Sequence, residues 1–209
     1  MKRTVIATAL LSGLLAAQAA SAAPVTVVEY YNATLDAYFI TGRTAEQTTL
    51  DSLPADFRRT SMQFAAAAAS AAAPAGDVRI CRFYISGVSP FVSSHFYGVE
   101  STDCTMLLAN TPAGFSFEGY DFAVARPDSS GACPANSHLP VYRAFRAAAG
   151  GRTPNHRYTA SLTEYSRMIA LGWAGEGVAY CTTAAQYPVA DSLRASAVQQ
   201  TAVHDPACT

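Results

Sequence analysis

The chain has 209 residues, 14 Lys and Arg side chains against 15 Asp and Glu, and a hydrophobic fraction of 50%. This near-neutral balance, without a basic run, excludes a nucleic-acid binder that is held mainly through phosphate contacts. The apolar content excludes wholesale disorder. The length favours one domain, or a few small repeats that share one core.

The first residues predict a secretory signal peptide over residues 1–22. Met1-Lys2-Arg3 is a short positive segment, the stretch that follows is apolar as far as Ala17, and Ala20-Ser21-Ala22 has the small residues of a cleavage site. The apolar stretch is too short for a stable membrane anchor, and no membrane span is expected in the body of the chain. We expect a secreted or periplasmic protein after cleavage near Ala22.

Three similar segments make up the body of the chain, at about residues 25–64, 79–124 and 140–181. Aromatic residues recur in them at an interval of 58 positions: Phe57, Phe115 and Trp173. A second set recurs at intervals of 58 and 61 positions: Ala37, His95 and His156. Because residue type and spacing repeat together, we interpret the body, residues 23–182, as a domain of three repeats.

Each repeat predicts the order strand, strand, short helix, strand. The expected fold class is therefore a β-rich α+β fold, with three such repeats around a shared core and approximate threefold pseudosymmetry. The helix is clearest in the third repeat, where Ser161 and Glu164 form a capping box and Gly172 is a natural stop. Its predicted apolar face has four residues: Leu162, Tyr165, Met168 and Ile169.

An alanine-rich stretch joins the first two repeats over residues 65–76. Alanine favours a helix, but Pro74 and Gly76 interrupt it and no apolar periodicity is present, so we expect a surface linker, with a short helix as the alternative. The polar residues 183–209 do not repeat and are expected to form a tail.

Export makes the five cysteines candidates for disulfides, because disulfides persist outside the cytosol. None has the close paired spacing of a zinc site. From their places in the repeats we expect Cys81 to pair with Cys104, and Cys133 with Cys181. Cys208 is left over and could link two chains into a dimer.

The repeats resemble an element of secreted bacterial and fungal proteins, whose pattern includes His-Phe-Tyr-Thr and Gly-Trp-x-x-Glu-Gly. The best matches here are Tyr142-Arg143, His156-Arg157-Tyr158-Thr159 and the segment 172–177. Three copies form a domain of unknown function that is often appended to lysozyme-like muramidases and peptidases. The resemblance implies an accessory or cell-surface binding role. The first repeat departs from the pattern, with Ala37 at the histidine position and Arg59-Thr60 in place of Glu-Gly.

Two histidines and two glutamates are candidate ligand-binding residues: His95, His156, Glu118 and Glu176. In one interpretation they converge near the symmetry axis and bind a ligand or a metal. In the other, which we favour, each histidine forms hydrogen bonds inside its own repeat, to the Glu-Gly segment. We predict no catalytic residue, no metal site and no cofactor.

The remaining candidates are an arginine and three aromatic residues: Arg143, Tyr97, Tyr158 and Trp173. Arg143, like Arg82 at the matching position, could bind a sugar carboxylate or a wall anion, although an internal ion pair with Glu176 or Glu118 is expected more strongly. The aromatic rings could stack on sugars, but core packing is the favoured interpretation.

We therefore expect a secreted, non-enzymatic binding module for glycan or cell-envelope material, with a polysaccharide or peptidoglycan as its partner. One alternative is a small secreted hydrolase that uses histidine and carboxylate side chains. Another is a structural envelope protein that is cross-linked through Cys208.

Overall fold

The computed structural model describes residues 22–69, 73–148 and 152–186, and the backbone alone at Phe91 and Val92. Cys208 and nearly all of the predicted signal peptide lie outside these ranges. Within them, the chain forms ten strands: β1 (Pro24–Asn32), β2 (Ala37–Thr41), β3 (Phe57–Ala68), β4 (Asp77–Val88), β5 (Phe91–Val99), β6 (Phe115–Ala125), β7 (Leu139–Arg146), β8 (Asn155–Thr159), β9 (Ala174–Thr182) and β10 (Ala185–Gln186). It also forms three helices: α1 (Thr44–Asp51), α2 (Thr105–Ala109) and α3 (Leu162–Ala170).

The strands fall into three consecutive groups, each with a helix before its last strand. The first group is β1, β2, α1 and β3; the second is β4, β5, α2 and β6; the third is β7, β8, α3 and β9. In each group the first strand lies between the other two and pairs antiparallel with both. The last strands join the groups: Ala67 and Ala68 lie opposite Ala123 and Phe122, and Ala125 lies opposite Cys181. The described strands therefore form one antiparallel sheet, which confirms a β-rich α+β fold.

The second strands of the groups meet in the core through buried tyrosines. Tyr97 Oη donates a hydrogen bond to the carbonyl of Ile40 in the first group. Tyr158 Oη, from the third group, accepts from the Tyr97 amide at 3.1 Å and donates to the Tyr97 carbonyl at 2.9 Å. Tyr180 Oη donates to the same carbonyl at 2.8 Å. These bonds satisfy hydroxyls that would be costly to bury alone, and they tie the three groups together.

The alanine-rich stretch begins as a strand, which corrects the prediction of a linker from residue 65. Ala65 donates its amide to the Ala184 carbonyl, and Ala68 donates to the Ala23 carbonyl, both at 2.8 Å. The sequence predicts a tail from residue 183, but strand β10, at residues 185 and 186, pairs with β3 in the same region. The predicted start of the tail is therefore too early. The helix propensity of alanine contributes less free energy than the backbone hydrogen bonds that β3 forms with strands on both sides.

Helix α3 begins and ends where the sequence predicts. Ser161 is the N-cap, and its Oγ accepts from the Glu164 amide at 3.2 Å. Gly172 follows the last turn with φ of +88°, a conformation that glycine adopts without strain. The predicted apolar face is partly wrong, because Met168 is buried while Leu162 and Ile169 are exposed.

Both predicted disulfides are present, Cys81–Cys104 and Cys133–Cys181. They are typical of proteins outside the cytosol. In the parts of the chain that the structure describes, no helix is long and apolar enough to cross a membrane.

Candidate functional site

In the second group, an arginine, a histidine and a glutamate lie side by side on three adjacent strands. Arg82 on β4 places its Nε 2.8 Å from Glu118 Oε2 on β6. His95 on β5 places its Nε2 3.3 Å from the same oxygen. The positions of the three residues bring them together because β4 pairs with both neighbours, with Arg82 opposite Tyr97 and Tyr84 opposite His95.

The third group repeats this arrangement. Arg143 Nε lies 2.8 Å from Glu176 Oε2, and His156 Nε2 lies 3.6 Å from it. We call each set an arginine–histidine–glutamate triad. The internal ion pairs that the sequence favours are therefore confirmed, and each histidine contacts the glutamate of its own group.

The shared metal site of the alternative interpretation is not formed by the described residues. Across residues 22–69, 73–148 and 152–186, no three His, Cys, Asp or Glu side chains lie close enough to hold a metal ion together. Each imidazole is instead held between rings of its surroundings: His95 between Phe39 and Tyr84, and His156 between Phe96 and Phe145.

The triads favour the ionised form of their glutamates. Burial by itself would raise the pKa of Glu118, but the contacts with His95 and Arg82 outweigh burial and hold the pKa below its ordinary value. Glu176 has a lowered pKa for the same reasons, with His156 and Arg143 as its partners. A carboxylate that is held ionised in this way is suited to anchor a cation rather than to deliver a proton.

The first group carries different residues at the triad positions, and a third-group arginine completes it. Glu29 stands at the arginine position, and Ala37 replaces the histidine. Thr60 stands in place of the glutamate, three positions after Phe57, and Ser61 with its positive φ stands in place of the glycine. The predicted match of Arg59-Thr60 to Glu-Gly is therefore wrong by one position.

Glu29 is fully buried and forms a two-bonded ion pair with Arg157. Arg157 Nε donates to Glu29 Oε1 at 2.8 Å, and Arg157 Nη2 donates to Glu29 Oε2 at 2.9 Å. Thr60 Oγ1 also donates to Glu29, at 2.6 Å. The first strand therefore carries the carboxylate here and the arginine in the other two groups, but an arginine–glutamate pair is present in all three.

Ion pairs that involve the helical segments also link neighbouring groups. Glu46 of α1 binds Arg82 at 2.6 Å, and Asp103, just before α2, lies 3.8 Å from Arg143. Glu164 of α3 binds Arg157, which in turn binds Glu29 of the first group. These contacts link first to second, second to third, and third to first, so the groups close on themselves.

A cavity of about 200 Å³ lies between the first and second groups. Ala37 lines it, as do residues of the β1–β2 turn, helix α1 and strand β5. Because Ala37 lacks the imidazole that His95 and His156 provide elsewhere, space is left beside the first group. We call it the Ala37 cavity. Half of its twelve lining side chains are apolar or aromatic: Leu35, Ala37, Tyr38, Phe39, Leu50 and Phe57.

The polar side chains of the Ala37 cavity are six: Asn32, Glu46, Ser93, Ser94, His95 and Asn155. His95 is the one sequence-predicted site residue among the lining residues. A cleft with mainly apolar walls and a few polar groups is the usual form of a small-molecule site. The arrangement can therefore bind a small ligand.

The burial of three aromatic residues corrects the prediction that they could bind a ligand. Tyr97 and Tyr158 have about 1% of their surface exposed, and Trp173 has 8%. Trp173 packs beneath the Arg146 guanidinium, which lies 5.0 Å from its ring centre. A sugar cannot stack on rings that the core already covers, so core packing, the favoured interpretation, holds for all three.

Most residues of the Ala37 cavity, including Phe39, Glu46 and Ser94, are not among the residues that the sequence predicts for a site. One signal was available. The alanine at the histidine position marked the first repeat as different, and that is where the cavity lies. The helix residue Glu46 and the turn residue Leu35 carry no motif, so only the packing of the groups reveals them.

Comparisons with known proteins agree with the resemblance found in the sequence. A family model described as a domain of unknown function, DUF5648, matches residues 26–183. No curated protein and no solved structure matches the chain significantly. Because the family model covers well over half of the chain, the protein belongs to the family of domains of unknown function DUF5648.

Proposed function

We propose that the protein is a secreted, non-enzymatic binding module for glycan or cell-envelope material, and that the Ala37 cavity holds one unit of the ligand. The observation that carries the proposal is the cavity itself, about 200 Å³ in volume, with apolar and aromatic side chains as half of its twelve lining residues. Aromatic faces such as those of Phe39 and Phe57 pack well against the C–H faces of sugar rings.

The surroundings of the cavity also support a binding role. Two ion-paired arginines pack against its wall: Arg82, paired with Glu118, lies over the ring of Phe39, and Arg157, paired with Glu29, lies over the ring of Tyr38. A wall that is held in this way gives a preformed site, which lowers the ordering cost of binding. Export after cleavage near Ala22 would place the module at the cell envelope, and the two disulfides suit that environment.

We also infer that the three groups are copies of one unit, arranged with approximate threefold pseudosymmetry. The shared order of strands and helix supports this, as do the two triads with the same atoms in contact. On this interpretation the second and third copies use their histidines to support the fold. The first copy has lost its histidine and gained a ligand site.

The binding role is tested with a variant that fills the cavity. We expect the wild-type protein to be retained on purified peptidoglycan or on an insoluble polysaccharide, and Ala37→Leu to bind at least tenfold more weakly. Ala109→Leu, the same change at an exposed position of α2, is the matched control and should bind like the wild type. Equal retention of Ala37→Leu and the wild type would place binding elsewhere, and the absence of any retention would reject the proposal.

The His95–Glu118 pair beside the cavity favours a second candidate, a small secreted hydrolase in which this pair activates water. Ser94 Oγ has no hydrogen-bond partner among the described residues, so His95 does not hold it as a nucleophile. The candidate predicts release of soluble sugars by the wild type and loss of that release in His95→Gln. Hydrolysis that survives this substitution would remove the candidate.

A further inference from the structure

The walls of the Ala37 cavity restrict the chemistry of the ligand that it could accept. Five of its lining side chains are apolar and carry no hydrogen-bonding group: Leu35, Ala37, Phe39, Leu50 and Phe57. A ligand group that enters between them loses its water and finds no polar replacement there. A hydroxyl in that position would be penalised, whereas a methyl group would be favoured.

Most polar side chains around the cavity already have partners. Both oxygens of Glu46 accept from Arg82, at 2.6 and 3.1 Å. Asn155 uses both ends of its amide on the backbone of Tyr38, at 2.8 and 3.0 Å. Asn32 Oδ1 accepts from the Leu35 amide at 3.0 Å. Few groups are therefore left to recognise the many hydroxyls of an unmodified sugar.

Ser94 is the exception among the buried polar side chains of the cavity wall. The residue is 3% exposed, and its Oγ is buried without a hydrogen-bond partner among the described residues. A hydroxyl can both donate and accept, and its position depends on rotation about a single side-chain bond. Ser94 can therefore pair with one ligand group that needs a donor and an acceptor, such as an amide.

We propose that the Ala37 cavity selects sugars that carry an acetamido group, with the acetyl methyl between the apolar walls and the amide at Ser94. This inference rests on the binding function proposed above and narrows its ligand class. The acetamido group combines one methyl with one amide, which matches the apolar walls and the one buried hydroxyl of the lining that has no partner among the described residues. An unmodified hexose would instead bury hydroxyls without partners.

The selection is tested by isothermal titration of the intact protein with two disaccharides, N,N′-diacetylchitobiose and cellobiose. They share the sugar linkage and differ in the acetamido groups. We expect the diacetylated sugar to bind at least tenfold more tightly. Equal binding of both would overturn the selection and leave the binding function standing. Failure of the diacetylated sugar to bind would also overturn the selection. Retention of the wild-type protein on peptidoglycan would then decide whether the proposed binding function holds.

The role of Ser94 is tested separately with Ser94→Ala. We expect its affinity for N,N′-diacetylchitobiose to fall about fivefold to tenfold, while its thermal midpoint stays equal to or above that of the wild type. The midpoint should not fall because the hydroxyl makes no hydrogen bond with the residues that the structure describes. Ser116→Ala, at an exposed serine of β6, is the matched control and should change neither quantity. Unchanged affinity, or a loss that accompanies unfolding, would contradict the assignment.

Discussion

Glu29 and Arg157 form a buried ion pair although they stand 128 positions apart in the chain. The Glu29 side chain is fully buried, and that of Arg157 is 8% exposed. Removing both charges from such a pair often costs little, whereas removing one leaves the other without a partner in a medium of low polarity. The pair therefore holds the first and third groups in register, and it depends on both members.

Replacing Arg157 alone should strongly destabilise the protein. We expect Arg157→Met to lower the free energy of unfolding by about 3 to 5 kcal/mol, because it leaves the Glu29 carboxylate buried without a positively charged partner. The double variant Glu29→Gln with Arg157→Met should recover much of this loss. Urea denaturation measures both. Arg58→Met, at an exposed arginine, is the control and should change stability by less than about 1 kcal/mol.

Glu176 makes part of the stability depend on pH. Its folded-state pKa is below the ordinary value, so its contribution is fully present above that value and is lost as the pH falls through the folded-state pKa. Glu176→Gln removes this contribution at every pH. We expect the variant to be less stable than the wild type by about 1 to 2 kcal/mol at neutral pH.

The difference in the free energy of unfolding between Glu176→Gln and the wild type should shrink as the pH falls through the lowered folded-state pKa of Glu176. Thermal unfolding across this range measures it. The exposed Asp56→Asn serves as the control and should show no such convergence. A difference that stays constant with pH would mean that the ionised carboxylate does not stabilise the fold.

At the scale of elements, the strands could be predicted better than their ends. The order of strands and helices follows from alternating apolar residues and from the Ser161 cap, which are local signals. The extension of β3 through Ala68 is not local. It depends on β1, β6 and β10, which supply hydrogen-bond partners from distant parts of the chain. A run of alanines carries no alternation, so the sequence could not show it as a strand.

The role of Ala65 in β3 can be tested with proline. Its amide donates to Ala184, and proline has no amide hydrogen. We expect Ala65→Pro to lower the free energy of unfolding by about 1 to 3 kcal/mol. Ala75→Pro is the control, because Ala75 occupies a turn in which Asp77 donates to Pro74 and Gly76 has φ of +90°. Proline suits that position, so this variant should be neutral or slightly more stable. Equal losses in both variants would indicate that residues 65–68 are not held as a strand.

At the scale of the whole molecule, the three groups pack against one another. Each group alone would expose one face of a small sheet, and the packing buries that face. The sequence could predict both disulfides and the order strand, strand, helix, strand in three successive groups, because these rest on patterns along the chain. It could also predict that each histidine contacts its own glutamate. It could not predict Arg157 as the partner of Glu29, or the cavity beside Ala37, because both arise only when the third and second groups pack against the first.

The central claim is that the Ala37 cavity is the ligand site, and a nuclear magnetic resonance titration tests it most directly. Uniformly ¹⁵N-labelled protein would be titrated with soluble peptidoglycan fragments. We predict that the largest shift changes cluster at residues 35–39, 46–50 and 93–95, and that Ala37→Leu abolishes them. Changes confined to other surfaces, or none at a ligand concentration that saturates retention on the wall, would contradict the account.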